Sequence, residues 1–268
     1  MTLQDSFNAP KGPSLDGCSE DDILELLRTS QIGEIGLHPN GSNYVFVVRF
    51  ETDLTGDVPL MGVYKPQAGE RPLRDFEPGL HRREHASYLL SRVLGWPSIP
   101  PTVIRDGPHG EGSFQLFIHA NEEDNYFSMR NEIPDKFETI AGFDIVVNNA
   151  DRKGGACLRD ADGKVWAIDH GLTFNPDARV RTVMFEFCGQ PINPNMVESL
   201  NKLRPLLSNG PEGYLAGSVG LQTDHIPALR SMLSSGDMEA LKTRIDAILK
   251  DPVFPLLDEY YNVPWPLV

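Results

Sequence analysis

Apolar positions along the chain change period several times, and each change marks an element. Ser19 followed by Asp22 resembles a capping arrangement, and Ile23, Leu24, Leu26 and Leu27 give a short amphipathic helix behind it. Residues 32–50 then alternate toward Val45, Val47 and Phe50 around Pro39-Asn40-Gly41-Ser42-Asn43. Asn-Gly between two apolar runs is a hairpin signal. Residues 60–66 read as a third strand closed by its proline. A helix from about 78 to 94 follows, with Leu89, Leu90, Val93 and Leu94 as its stripe and Gly95 as its stop. Two more short strands fit near 102–105 and 113–118.

Helical spacing resumes at Phe137, Ile140, Ala141, Phe143 and Ile145 and yields to a polar loop at 148–157. Strands at Cys157-Leu158 and 164–168 are joined by Asp160-Ala161-Asp162-Gly163, a turn by composition. The last third is helical by pattern over roughly 195–207, 225–235 and 237–250. The end, with Pro252, Pro255, Pro264 and Pro266, is too rich in proline for a helix and is expected to wrap the surface. The pattern predicts an α+β protein. Residues 1–18 form a loose leader, 19–120 a β-rich lobe with one central helix, and 121–268 a mainly helical lobe.

Composition narrows the classes. At 268 residues, with 40% apolar and 23% charged, the chain can bury a proper core and is not globally disordered. A net charge of −14 and a pI near 4.9 argue against nucleic acid as a partner, because phosphate contacts need clustered Lys and Arg. They argue equally against lasting association with an anionic membrane surface. Cys18, Cys157 and Cys188 are far apart with no CxxC, so neither a disulfide framework nor a zinc site is expected and a reducing cytoplasm fits better. No apolar run approaches the length of a membrane span.

The candidate chemistry gathers around two acids eighteen positions apart, Asp151 and Asp169. The first lies in a polar, glycine-containing loop; the second ends an apolar strand and precedes His170-Gly171. An acid that orients a hydroxyl, a hairpin, and an acid that holds a metal make the layout of a phosphoryl-transfer site. Upstream, Lys65 ends a strand and Glu84 sits on the next helix, as a phosphate-binding lysine and its partner would. Arg82, Arg83 and His85 flank Glu84 and compete for it on paper. Gly41, Ser42 and Asn43 could cap nucleotide phosphates through backbone N–H groups, although a plain hairpin turn explains them too. Arg152 or Lys153 could offset charge on a transferring phosphate, and Asn149 could furnish a second oxygen ligand beside Asp169 for Mg²⁺. A carboxylate at the buried end of Val165-Trp166-Ala167-Ile168 would need a cation. Arg179 and Arg181 read either as solvated loop residues or as acceptor contacts. There is no GxxxxGK[ST] and no GxGxxG.

The same residues carry a resemblance. Gly41-Ser42-Asn43, Tyr64-Lys65-Pro66, Gly69-Glu70-Arg71-Pro72-Leu73, Arg83-Glu84-His85-Ala86, the run from Asn148 to Gly155, and Ile168-Asp169-His170-Gly171-Leu172-Thr173-Phe174 resemble a bacterial, chiefly actinobacterial, family. That family is classed with the phosphatidylinositol 3- and 4-kinases, and the likeness runs from about residue 20 onward. It implies a two-lobed protein-kinase-like fold, ATP and Mg²⁺ as cofactors, Lys65 on the phosphates with Glu84 as partner, Asp151 as catalytic acid and Asp169 as metal acid. One departure stands out. Five residues after the catalytic acid such kinases place a metal-binding Asn, and the bacterial relatives a His; here it is Ala156, which binds nothing. The expectation is therefore a kinase acting on a soluble small-molecule or protein hydroxyl, or else a nucleotide-binding pseudokinase with weak catalysis. A metal-dependent phosphohydrolase and a nucleotidyl transferase remain as other readings of the same acids.

Overall fold

The computed structural model describes residues 18–38, 43–54, 58–121, 123–177, 179–208 and 221–268. Helix α1 (Glu20–Thr29) begins at a capping box in which Ser19 and Asp22 satisfy each other's backbone N–H groups, and it buries Ile23, Leu24 and Leu27. Strands β1 (Ile32–Leu37), β2 (Phe46–Leu54), β3 (Val58–Pro66), β4 (Thr102–Gly107) and β5 (Gly110–Leu116) form one antiparallel sheet in the order β1-β2-β3-β5-β4. Strand β3 is central, so both its edges are paired, with Phe46 opposite Tyr64 on one side and Ser113 opposite Lys65 on the other.

Helix α2 (Leu80–Leu94) crosses between β3 and β4 and ends at Gly95, whose φ of 80° is the left-handed conformation that favours glycine. It buries Leu89, Leu90, Val93 and Leu94 as the stripe predicted, but also Glu84, Ser87 and Tyr88. The β4–β5 hairpin is longer on its turn side than alternation suggested. Asp106 faces Glu111 and Gly107 faces Gly110 in the ladder, and an apolar pattern is blind to such polar rungs.

The second lobe holds α3 (Tyr126–Met129), α4 (Pro134–Val147), the β6 (Cys157–Arg159) and β7 (Val165–Ala167) hairpin, α5 (Pro194–Leu206), α6 (Ile226–Met232) and α7 (Ser235–Lys250). Asn148, at a φ of 55°, closes α4 and starts the polar loop. The predicted helix over 225–235 is interrupted: Leu233 turns extended and Ser234 caps α7 with Asp237 as its capping-box partner. The apolar core is continuous between the lobes, running from Tyr64 and Phe114 through Leu90 to Phe143, Leu200 and Ile245. After Asp251 the chain has no helix: Val253 bridges to Pro191, Phe254 is buried in the core, and a turn at 259–261 precedes the last residues. Among the described residues no helix is long and apolar enough to cross a membrane.

Candidate active site

Lys65 is brought to the inter-lobe face by the two-residue period of β3, with Glu84 on α2 directly against it. Its ammonium donates a short hydrogen bond to Glu84 Oε1 and another to Asp169 Oδ1 at 3.0 Å. Burial alone would depress this lysine, but the charges of Asp169 and Glu84 outweigh it and hold the ammonium above its ordinary value. Glu84 is 3% exposed, and its second oxygen accepts the backbone N–H of His170 at 2.9 Å. One carboxylate thus links β3, α2 and the loop carrying Asp169. The flanking side chains do not compete, because neighbours on a helix point about 100° away from it. Arg82 pairs with Glu111 at 3.0 Å, and Arg83 pairs with Asp237 at 3.3 Å while donating to the Thr173 carbonyl.

Asp169 follows β7 with a φ of 63°, a left-handed conformation unusual for a residue with a Cβ. Such strain persists only where surrounding contacts enforce it, and it concentrates at functional sites. The side chain is 55% exposed rather than sealed, and the cation it meets is Lys65. That ammonium holds the Asp169 carboxyl at about 2, against the opposing effect of burial.

Asp151 lies in the loop after α4, and Lys153 Nζ stands 3.0 Å from its Oδ2. Burial raises the Asp151 carboxyl above the ordinary range; Lys153 pulls it down and the Asp169 charge pushes it up. Asp151 and Asp169 therefore share one electrostatic environment. They differ in ionisation, one raised and one depressed, which is the pattern of an acid–base residue beside a permanently charged one.

Two expectations are corrected here. Arg152 does not face a phosphate: it is fully buried. Its Nε and Nη2 donate to Asp144 at 2.7 and 2.9 Å, Nη1 to the carbonyls of Ala156 and Ile168, and Nη2 also meets His170 Nε2 at 2.8 Å. It is the internal tie between the Asp151 loop and the Asp169 loop. Asn149, expected as a metal ligand, is also fully buried. Its amide donates to Asp144 Oδ1 at 2.9 Å and its oxygen accepts the N–H of Asp151 at 3.0 Å, so it shapes the loop and offers no ligand to the cleft.

Asp144 was not among the candidate residues, although a charged residue inside the apolar run Phe143-Asp144-Ile145 was its signal. His170 is driven well below its usual range by burial and by the Arg152 charge, so it is a neutral acceptor.

Asn43 Oδ1 accepts the N–H of Arg71 at 3.0 Å, tying the β1–β2 connection to the segment before α2. Gly41 and Ser42 lie outside the described residues. Arg181 donates to the Ala150 carbonyl at 3.1 Å and lies 3.8 Å from Asp75, while Arg179 sits 5.4 Å over the Tyr261 ring. A shallow recess lined by residues including Met61, Phe117, His119 and Asp160 opens where the lobes are linked. None of Lys65, Glu84, Asp151 or Asp169 lines it, so it is separate from the charged cluster.

An antiparallel sheet whose central lysine is clasped by a helix glutamate, above a helical lobe presenting two loop acids, is a kinase-like fold. Solved structures agree. The Golgi casein kinase with Mn/ADP bound matches with a TM-score of 0.55 at 18% identity, over 86% of this chain and 74% of that one. The hydra Fam20 structure with sugar matches with a TM-score of 0.52 at 15% identity, over 93% of this chain and 94% of that one. In sequence, the chain belongs to the family of Protein Rv2133c from Mycobacterium tuberculosis, with 31% identity over 282 residues, 92% of this chain and 95% of that protein. No family model matches the chain.

Proposed function

We propose that the protein is an ATP- and Mg²⁺-dependent phosphotransferase acting on the hydroxyl of a soluble small molecule or a protein. The observation that carries this reading is Lys65 seated between Glu84 and Asp169, with Asp151 in the same field. The donor chemistry suits a hard divalent cation, since Asp169 is ionised and half open. Among the described residues no group of three His, Cys, Asp or Glu could hold a metal alone. Phosphate oxygens and water would complete the shell, as is usual for Mg²⁺. Bound there, Mg²⁺ neutralises charge on the phosphoryl group being transferred.

The chain's own residues supply the rest. Lys65, held by Glu84, binds the nucleotide phosphates. Asp151 orients the acceptor hydroxyl and takes its proton as the new O–P bond forms and the bond to the leaving nucleoside diphosphate breaks. Lys153, already paired with Asp151, shields the negative charge that this geometry brings together.

The test is thermal stabilisation by ATP with Mg²⁺, followed by ATP turnover. We expect the melting temperature to rise with ATP–Mg²⁺, and no rise at saturating concentrations would reject the assignment. Glu84→Gln, which removes the buried one of the two carboxylates that hold Lys65 in place, is expected to weaken ATP binding by roughly ten- to a hundredfold, the scale of one charged hydrogen bond. Calorimetric titration checks it. Turnover requires Asp151 ionised, so activity should fall as pH drops through a carboxylate range displaced upward by burial. A pH–rate profile whose acid limb sits at or below ordinary aspartate values would contradict that role.

A second reading rests on Ala156. This residue is 6% exposed and contributes only its backbone, accepting from Arg152 and from Ile168 N–H. If that methyl leaves the metal one ligand short, the protein binds nucleotide and regulates a partner with little catalysis. Ala156→Asn should then raise turnover by an order of magnitude or more under the enzyme reading. Tight nucleotide binding with no gain in turnover would favour the regulatory one.

A further inference from the structure

The end of the chain is tied to the candidate catalytic loop at chosen points. Asn262 accepts the N–H of Thr182 on its backbone oxygen at 2.8 Å and donates through Nδ2 to the Val180 carbonyl at 2.7 Å. Five residues on, the Leu267 carbonyl accepts the N–H of Gly154 at 2.8 Å. Thr182 in turn bridges in parallel to Arg152, with Arg152 N–H donating to Arg181 and Val183 N–H donating to Arg152. Three chain segments therefore lie side by side: the loop carrying Asp151 and Lys153, the segment carrying Arg181, and residues 262–267.

A Cβ on Gly154 would stand 2.7 Å from the Phe127 ring, so glycine lets that ring pack against the loop, while the Leu267 oxygen at 3.4 Å sits at ordinary contact distance beside it. The outer face is bare: Tyr260 is 92% exposed and Trp265 85%. Pro264 is buried, but residues 265–268 are all exposed. A segment held by a few backbone bonds, with little buried apolar surface, opens at far lower cost than the core.

We propose that residues 262–268 form a detachable strap, with Asn262 as a positioning residue, whose docking holds the Asp151–Lys153 loop in its working geometry. This rests on the phosphotransfer reading and adds a control to it: lifting the strap frees the Gly154 and Thr182 N–H groups and loosens the loop without unfolding the lobe.

Asn262→Ala tests it. Amide exchange at Gly154 and Thr182 should rise about tenfold or more, since the variant loses both the Nδ2 bond to the Val180 carbonyl and the bond that Oδ1 accepts from Asp258 N–H. The melting temperature and ATP–Mg²⁺ stabilisation should hold. kcat should fall about tenfold with KM for ATP unchanged, a split that general destabilisation would not produce. Tyr260→Ala, on the bare face, should change none of these. Should Asn262→Ala fail to fold, Pro264→Gly, which loosens the strap through backbone entropy, carries the same expectations. Unchanged exchange at Gly154, or raised exchange with unchanged kcat, overturns the proposal. A wild-type protein that ATP–Mg²⁺ does not stabilise counts against phosphotransfer, while the exchange data still report strap docking.

Discussion

Asp169→Asn is expected to abolish metal-dependent ATP turnover, by a factor of a thousand or more, while the protein stays folded. The substitution preserves shape and removes the depressed, half-open carboxylate assigned to the cation. Lys65 keeps Glu84, so nucleotide affinity without metal should change little. The pair of measurements is turnover with Mg²⁺ and nucleotide binding in chelator; unchanged turnover would remove the metal role from Asp169. Acid should act on the same group. Its folded value of about 2 lies below the value near 3.9 of an unfolded aspartate, so its contribution to stability is complete above that unfolded value. The contribution is then lost as pH falls toward about 2. Asp169→Asn should therefore flatten the pH dependence of stability within that acid window.

Arg152→Met is expected to cost about 3–5 kcal/mol of stability, the largest effect of any single change near the site. Arg152 and Asp144 are 0% and 1% exposed, and removing the cation strands a carboxylate away from water. Folded domains hold only about 5–15 kcal/mol in total, so such a loss moves a urea midpoint far or leaves the chain unfolded. The double variant Arg152→Met with Asp144→Leu should recover much of that loss, because no orphan charge remains. Activity should not return with it, since the carbonyls of Ala156 and Ile168 lose the donor that joins the two acid loops. Equal stability of the single and double variants would show that the ion pair is not what Arg152 contributes.

These two residues also show how far the chain could be read without coordinates. Lys65, Glu84 and Asp169 stood out because each sits at the end of, or on, an element with a clear apolar period, whereas Asp151, in the aperiodic loop, stood out only by its spacing from Asp169. Arg152 and Asn149 were misplaced for a common reason. In a polar loop the sequence carries no period, so nothing in Asn148-Asn149-Ala150-Asp151-Arg152-Lys153 says which side chains turn inward. Alternate residues of that loop went opposite ways: Asn149 and Arg152 are sealed, whereas Asp151 and Lys153 keep 25% and 22% of their side-chain surface. What sealed them was Asp144, one carboxylate of α4 that had to be neutralised and found its partner in the loop. The same limit applies to the end of the chain, where prolines excluded a helix but could not say what the segment would touch.

Local periodicity by itself determined the strands, the helices and the order of lysine, glutamate and two aspartates along the chain, because apolar spacing and turn chemistry act over a few residues. Tertiary structure alone decided that Lys65 meets Asp169, that Arg152 lies inside, and that residue 267 reaches Gly154. The first and last of these contacts join residues far apart in the chain, Lys65 and Asp169 by 104 positions, and Arg152 turns inward to a carboxylate eight positions back; only packing of the lobes, with each buried charge finding an opposite one, can select them.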